Sequence, residues 1–205
     1  MRLFAAVLLP PVAVDELAAA VDRLRALDEP GAGALRWTGR AGWHLTLAFM
    51  GEVDERQLPE LRTRLARAAQ RTEPFPLRLH GGGRFGRRVL WAGAAGGLDE
   101  LRLLAERADA AARRSGIPMD EHRRYQAHLT LARARSETDL RGYVAELSDF
   151  DGTRWQVTEL HLVRSNLPTS GAAGDQPRYE TVGSWPLGRG AAEPGLVSKG
   201  GPQNP

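Results

Sequence analysis

The pentapeptide His-Leu-Thr-Leu-Ala occurs twice in this chain, at 44–48 and at 128–132, so the two copies stand 84 residues apart. Both alternate with period two. His44, Thr46 and Ala48 fall on one face of an extended segment and Leu45, Leu47 and Phe49 on the other. A polar row backed by a leucine row is the mark of a strand that buries one face and leaves the other free. A helical pattern follows each copy, at about 55–71 and 138–147. The repeat therefore predicts two related half-domains, each presenting one imidazole beside one hydroxyl.

Around these copies the chain alternates strand and helix patterns. Residues 2–9 read as a buried strand, and 13–27 as a helix with Leu17, Val21 and Leu24 on one stripe. Residues 29–34 read as a loop. Strands are expected at 43–49, 75–79, 88–94, 126–132, 154–163 and 178–185, with a further helix over 98–114 that Gly116 stops. Gly81-Gly82-Gly83-Arg84-Phe85-Gly86 has the letters of a dinucleotide fingerprint, but a strand pattern follows where that motif needs a helix. It reads as a hairpin loop between strands. Hairpin-like connections in mixed order point to an α+β fold with largely antiparallel sheets. Residues 1–187 are expected to form a single bilobal domain. Residues 188–205, nearly free of periodic apolar positions, read as a disordered tail.

Composition narrows the class of protein. The chain has no cysteine, which removes disulfides and thiol nucleophiles and fits a reducing compartment, so the cytoplasm is expected. The apolar run 3–9 is of strand length and is stopped by Pro10 and Pro11, which argues against a secretory signal or a membrane segment. Net charge is +3, yet 27 of the 28 basic residues are Arg, whose planar fork suits phosphate. A GC-rich genome would impose the same bias, so composition alone leaves a nucleic-acid partner open.

Two His-x-Thr rows invite three readings. They are core histidines on ordinary Thr-rich strands, a metal pair, or the acid and base of a displacement at phosphorus. No HExxH is present and neither copy carries a carboxylate, which weighs against metal; no cofactor is expected. The duplication favours catalysis, because in-line displacement needs a base on one side and an acid on the other. An imidazole with a pKa of about 6.5 serves either role near neutrality. Thr46 and Thr130 would then donate to the non-bridging phosphate oxygens. The two copies are identical over five residues, so the residues do not say which ring is the acid.

Paired HxTx motifs on a chain of this size resemble the two-histidine (2H) phosphoesterases. HLTLAFMG and HLTLAR, with the opening MRLFAAVLLP and the late LHLVRSNLPTSGAAGDQPRYETVGSWPL, are similar to the RNA 2′,3′-cyclic phosphodiesterase branch, also called the 2′-5′ RNA ligase family. The resemblance covers residues 1–187 and departs at Ala127, where a proline commonly precedes the second His. It implies two pseudo-symmetric lobes with outer helices around a central cleft. It also implies hydrolysis of RNA-terminal 2′,3′-cyclic phosphate to a 2′-phosphate without metal, with His44 as acid and His128 as base. The expected partners are RNA ends or nucleotides bearing that cyclic phosphate, with no membrane and a monomer as the working unit. The alternatives are 2′-5′ ligation by the reverse reaction and a non-catalytic RNA-binding module.

Further substrate contacts are expected from Arg133 and Phe49, each five residues past its His, and from Arg123, Arg124 and Tyr125 before the second copy. Strict alternation would turn Phe49 and Arg133 to the core side, so their use requires a break in the strand. Arg84, Arg87 and Arg88 are further candidates for backbone contact, whereas His80, His122 and His161 lack a repeated partner.

Overall fold

Leu3, Ala5 and Val7 are each 2% exposed or less, and between them Phe4 and Ala6 are buried on the opposite face. A strand apolar on both faces must be covered on both, and the architecture does this with helices behind and a cleft in front. The computed structural model describes residues 1–27, 32–120, 124–167 and 176–189. In chain order the elements are β1 (Arg2–Leu8), α1 (Pro11–Arg25), β2 (Leu35–Trp37), β3 (His44–Glu52), α2 (Leu58–Gln70), β4 (Phe75–Phe85) and β5 (Val89–Gly96). They continue with α3 (Leu98–Arg114), β6 (Leu129–Ala134), α4 (Arg141–Leu147), β7 (Trp155–Val157), β8 (Glu159–Asn166) and β9 (Arg178–Pro186).

The strands form two antiparallel sheets, ordered β3-β1-β8-β9 and β2-β6-β5-β4-β7. The unit β1-α1-β3-α2 is echoed by β5-α3-β6-α4, which realises the duplication expected from the repeat. Helices α2 and α3 cover the first sheet, and α4 with α1 covers the second, so α1 and α3 each cross to the other lobe. Their leucines meet the strands in one core, where Leu17, Leu45, Leu61, Leu101 and Leu129 are all fully buried. Each such side chain contributes about 1.5–3 kcal/mol of burial free energy. The two HLTLA strands, β3 and β6, approach each other where the sheets meet.

The differences from expectation have local causes. The glycines at 81–83 are not a hairpin loop: β4 runs through them to Phe85, and the turn comes at Gly86, with φ +56. They stay in the strand because a Cβ on Gly82 would meet Leu147 of α4 and one on Gly83 would meet the Trp91 ring, so both sheet faces there are already filled. The single strand expected over 154–163 is two. Residues 155–157 pair with β4 and 161–164 with β1, so the chain passes from one sheet to the other at Thr158. The three-residue β2 was not expected, and helix α4 starts at Arg141 instead of 138. Residues 29–31 of the expected loop, and the expected tail beyond Arg189, lie outside the described residues.

Candidate active site

Both HLTLA copies carry the same irregularity. Opposite β3, Ala5 pairs with Ala48 but Ala6 pairs with Thr46, so Leu47 is the extra residue; opposite β6, Leu90 pairs with Ala132 but Trp91 with Thr130, so Leu131 is. A bulge of one residue shifts the alternation that follows it. Leu47 and Ala48 are both buried, as are Leu131 and Ala132, while Phe49 is 47% exposed and Arg133 is exposed. Phe49 and Arg133 thus return to the face that carries His and Thr, and the core-side placement expected from strict alternation is corrected.

The face of the first sheet that turns away from the helices carries Phe4, Ala6, Val163 and Tyr179 as a small apolar cluster. His44 lies on it. Its ring stacks on Phe4 at 4.5 Å between centroids and 28° between planes, and it meets the edge of Tyr179 at 5.2 Å. On the second sheet, His128 immediately precedes β6 and meets Phe85 at 4.8 Å and Trp91 at 6.4 Å, both edge-on. Each histidine therefore sits in an aromatic seat built by its own lobe. Arg2 lies over the Phe49 ring, 4.9 Å from its centroid.

The two rings differ in what holds them. His128 Nδ1 lies 2.8 Å from the Gln126 carbonyl oxygen, so Nδ1–H donates and the neutral ring keeps its lone pair on Nε2. His44 has no hydrogen-bond partner among the described residues. Burial, with the charge of His128 as a second cause, lowers the pKa of His44 from 6.5 to about 4. The effect of His128 on His44 places the two imidazoles within reach of one another's charge. Thr46 and Thr130 are partly buried, and their hydroxyls bond to no described residue, so both are available to a ligand. Burial raises the pKa of Tyr179, against the charges of Arg133 and Arg2, so both cations lie near this ring at the edge of the cleft.

Arg124 and Tyr125, on the segment before His128, are brought together with Phe49. They line a groove of about 1010 Å³ between β3 and α3, which also touches Phe49, Arg102 and Arg113. Tyr125 packs against the core with its hydroxyl buried and without a partner among the described residues, and burial pushes its pKa up. The segment's contribution to His128 is instead a backbone carbonyl, that of Gln126. His80 pairs with Asp151 at 3.3 Å and His161 with Glu159 at 3.6 Å, while His122 and Arg123 lie outside the described residues. Phe4, Tyr179, Phe85 and Trp91 were not legible as site residues, since each reads as an ordinary strand aromatic until the pairing is known.

The family model described as the 2'-5' RNA ligase superfamily matches residues 13–168. The chain belongs to this superfamily. It is 33% identical to the RNA 2',3'-cyclic phosphodiesterase of Aeropyrum pernix over 147 residues, which cover 68% of this chain and 79% of that protein. Among solved structures, TT0787 of Thermus thermophilus superposes with a TM-score of 0.70 and 30% identity over 94% of this chain and all of that one. LigT of E. coli in apo form gives 0.69 and 29% over 91% and 97%. The superfamily match includes both HLTLA copies but begins after Phe4 and ends before Tyr179, so both rings of the His44 seat come from outside the matched span.

Proposed function

We propose that the protein hydrolyses the 2′,3′-cyclic phosphate at RNA ends to a 2′-phosphate by two-histidine acid and base catalysis, with no metal. The observation that carries this reading is the pair of bulged HLTLA strands, which turns two imidazoles and two free Thr hydroxyls toward one cleft. His128 takes a proton from water on Nε2, and the resulting hydroxide attacks phosphorus. The P–O3′ bond breaks, and His44 gives its proton to the leaving 3′ oxygen. Thr46 and Thr130 donate to the non-bridging oxygens as charge grows on them.

The Nδ1–H donation from His128 to Gln126 supports the base role, because it leaves the lone pair on the opposite nitrogen. Burial and the charge of His128 hold the pKa of His44 low in the free protein, and a phosphate anion between the rings offsets both causes. Substrate thereby recruits the proton that His44 later delivers. Both histidines belong to one chain, which supports a monomer as the working unit, and no described helix is long and apolar enough to cross a membrane. We place the activity in the cytoplasm.

The test is incubation with adenosine 2′,3′-cyclic phosphate in EDTA. The expected product is adenosine 2′-monophosphate, and His44→Ala and His128→Ala each lower kcat by about 10²–10⁴-fold. Full turnover in either folded variant removes the mechanism, and a 3′-phosphate product reverses the assignment of the leaving oxygen.

A further inference from the structure

The row that carries His128 and Thr130 continues past the bulge to Arg133, and the neighbouring strand β2 sets Arg36 directly opposite it. Residues directly opposite in an antiparallel pair put their side chains on one face, with Cβ atoms about 5 Å apart. The parity is fixed by the neighbours: Trp37, opposite Ala132, turns into the core against Tyr143, so Arg36 shares the cleft face with Arg133. Both arginines are exposed, and neither makes an ion pair or side-chain hydrogen bond among the described residues. By contrast Arg56, Arg64, Arg78, Arg102, Arg113 and Arg141 each pair with an Asp or Glu. Two like charges opposite one another in a ladder repel, so the fold gains nothing from this pair. An anion seated between them would be held by two planar forks.

The position of the pair identifies the anion. Arg133 stands one side-chain repeat, about 7 Å, beyond Thr130, and β2 lies a further strand spacing of about 4.8 Å outward. Its charge reaches Tyr179, which touches His44, so the pair borders the reacting centre without coinciding with it. A free cyclic mononucleotide has one anionic group, and the histidines and threonines take it. The next anion in an RNA end is the 3′-5′ phosphodiester that joins the terminal nucleotide to its neighbour.

We propose that Arg36 and Arg133 form a second phosphate subsite that binds this internucleotide phosphate and makes the protein selective for RNA ends over free cyclic nucleotides. The proposal rests on the cyclic-phosphate reading above.

Three probes test it: adenosine 2′,3′-cyclic phosphate, the dinucleotide ApA ending in a 2′,3′-cyclic phosphate, and the same dinucleotide with a neutral methylphosphonate linkage. The wild type is expected to prefer the charged dinucleotide to the neutral one in kcat/KM. Arg36→Ala lowers that ratio at least tenfold, chiefly through KM, and Arg36→Lys restores part of it. Equal loss on the charged and neutral dinucleotides, or a wild type indifferent to the linkage charge, overturns the subsite while leaving the reaction standing. Turnover of none of the three probes by the wild type overturns the reaction and the subsite with it.

Discussion

If His44 is the acid, a phosphate group bound in the cleft must return a proton to a ring that burial keeps neutral in the free protein. The distance to be recovered is the gap between 6.5 and about 4, which corresponds to about 3 kcal/mol. An opposite unit charge about 4 Å away, in an effective dielectric of about 20, supplies roughly 4 kcal/mol. The two magnitudes match, so one bound phosphate suffices. The measurement is an NMR titration of the His44 ring with and without saturating adenosine 2′-monophosphate, read on the ring itself so that ionisation of the ligand does not enter. The free midpoint is expected at about 4 and the bound midpoint above about 6. His128→Ala in the free protein should raise His44 only part of the way, because burial is the larger cause and the charge of His128 the smaller. A bound midpoint still near 4 with the ligand in place refutes the recruitment of a proton and, with it, His44 as the acid.

Other consequences follow from the same geometry. Thr46→Val and Thr130→Val should each lower kcat about a hundredfold, with KM for the cyclic nucleotide little changed, because each hydroxyl acts mainly as charge develops on phosphorus. His44 should make the fold acid-sensitive. Its pKa is lower in the folded state, so stability is full above pH 6.5, falls by about 3 kcal/mol as pH drops toward about 4 and falls no further below that; urea unfolding of the wild type against His44→Gln isolates the effect. Gly83→Ala should cost about 1–3 kcal/mol and disturb Trp91 fluorescence, because any Cβ there drives the indole off the sheet on which it seats His128.

The phases of the long elements were legible because burial writes them into the chain. Leu17, Val21 and Leu24 mark one helix face, and Leu45 with Leu47 the core side of β3. The duplication and the four residues His44, Thr46, His128 and Thr130 were legible for the same reason: a repeated polar row on a buried strand has few structural explanations. What was not legible depends on pairing. A three-residue strand such as β2 has no period to detect, and Thr158 carries no mark of a change of sheet. The glycines of β4 look like a turn until the side chains that occupy their missing Cβ positions are known. The bulges are hidden because the extra residue is itself a leucine, apolar like the Leu45 and Leu129 that begin each core row.

The bulge explains why the repeated unit extends beyond His-x-Thr to Leu and Ala. A regular strand would show the cleft its His, Thr and Ala and bury the residue after Ala. Inserting one residue after Thr sends two consecutive small or apolar side chains into the core and brings the sixth position back to the cleft. That sixth position is where the halves diverge, to Phe49 in one lobe and Arg133 in the other. The histidines diverge for a related reason. The motif delivers identical rings, but the first falls between Phe4 and Tyr179 with no hydrogen-bond partner among the described residues, while the second finds the Gln126 carbonyl. An apolar seat depresses the pKa of His44, and a backbone acceptor fixes the tautomer of His128. The difference between the two rings of identical pentapeptides therefore resides in residues outside both. Tyr179→Ala, by opening the His44 seat to water, should raise the His44 midpoint toward 6.5 in the free protein. A midpoint unmoved by that substitution would place the cause of the asymmetry elsewhere.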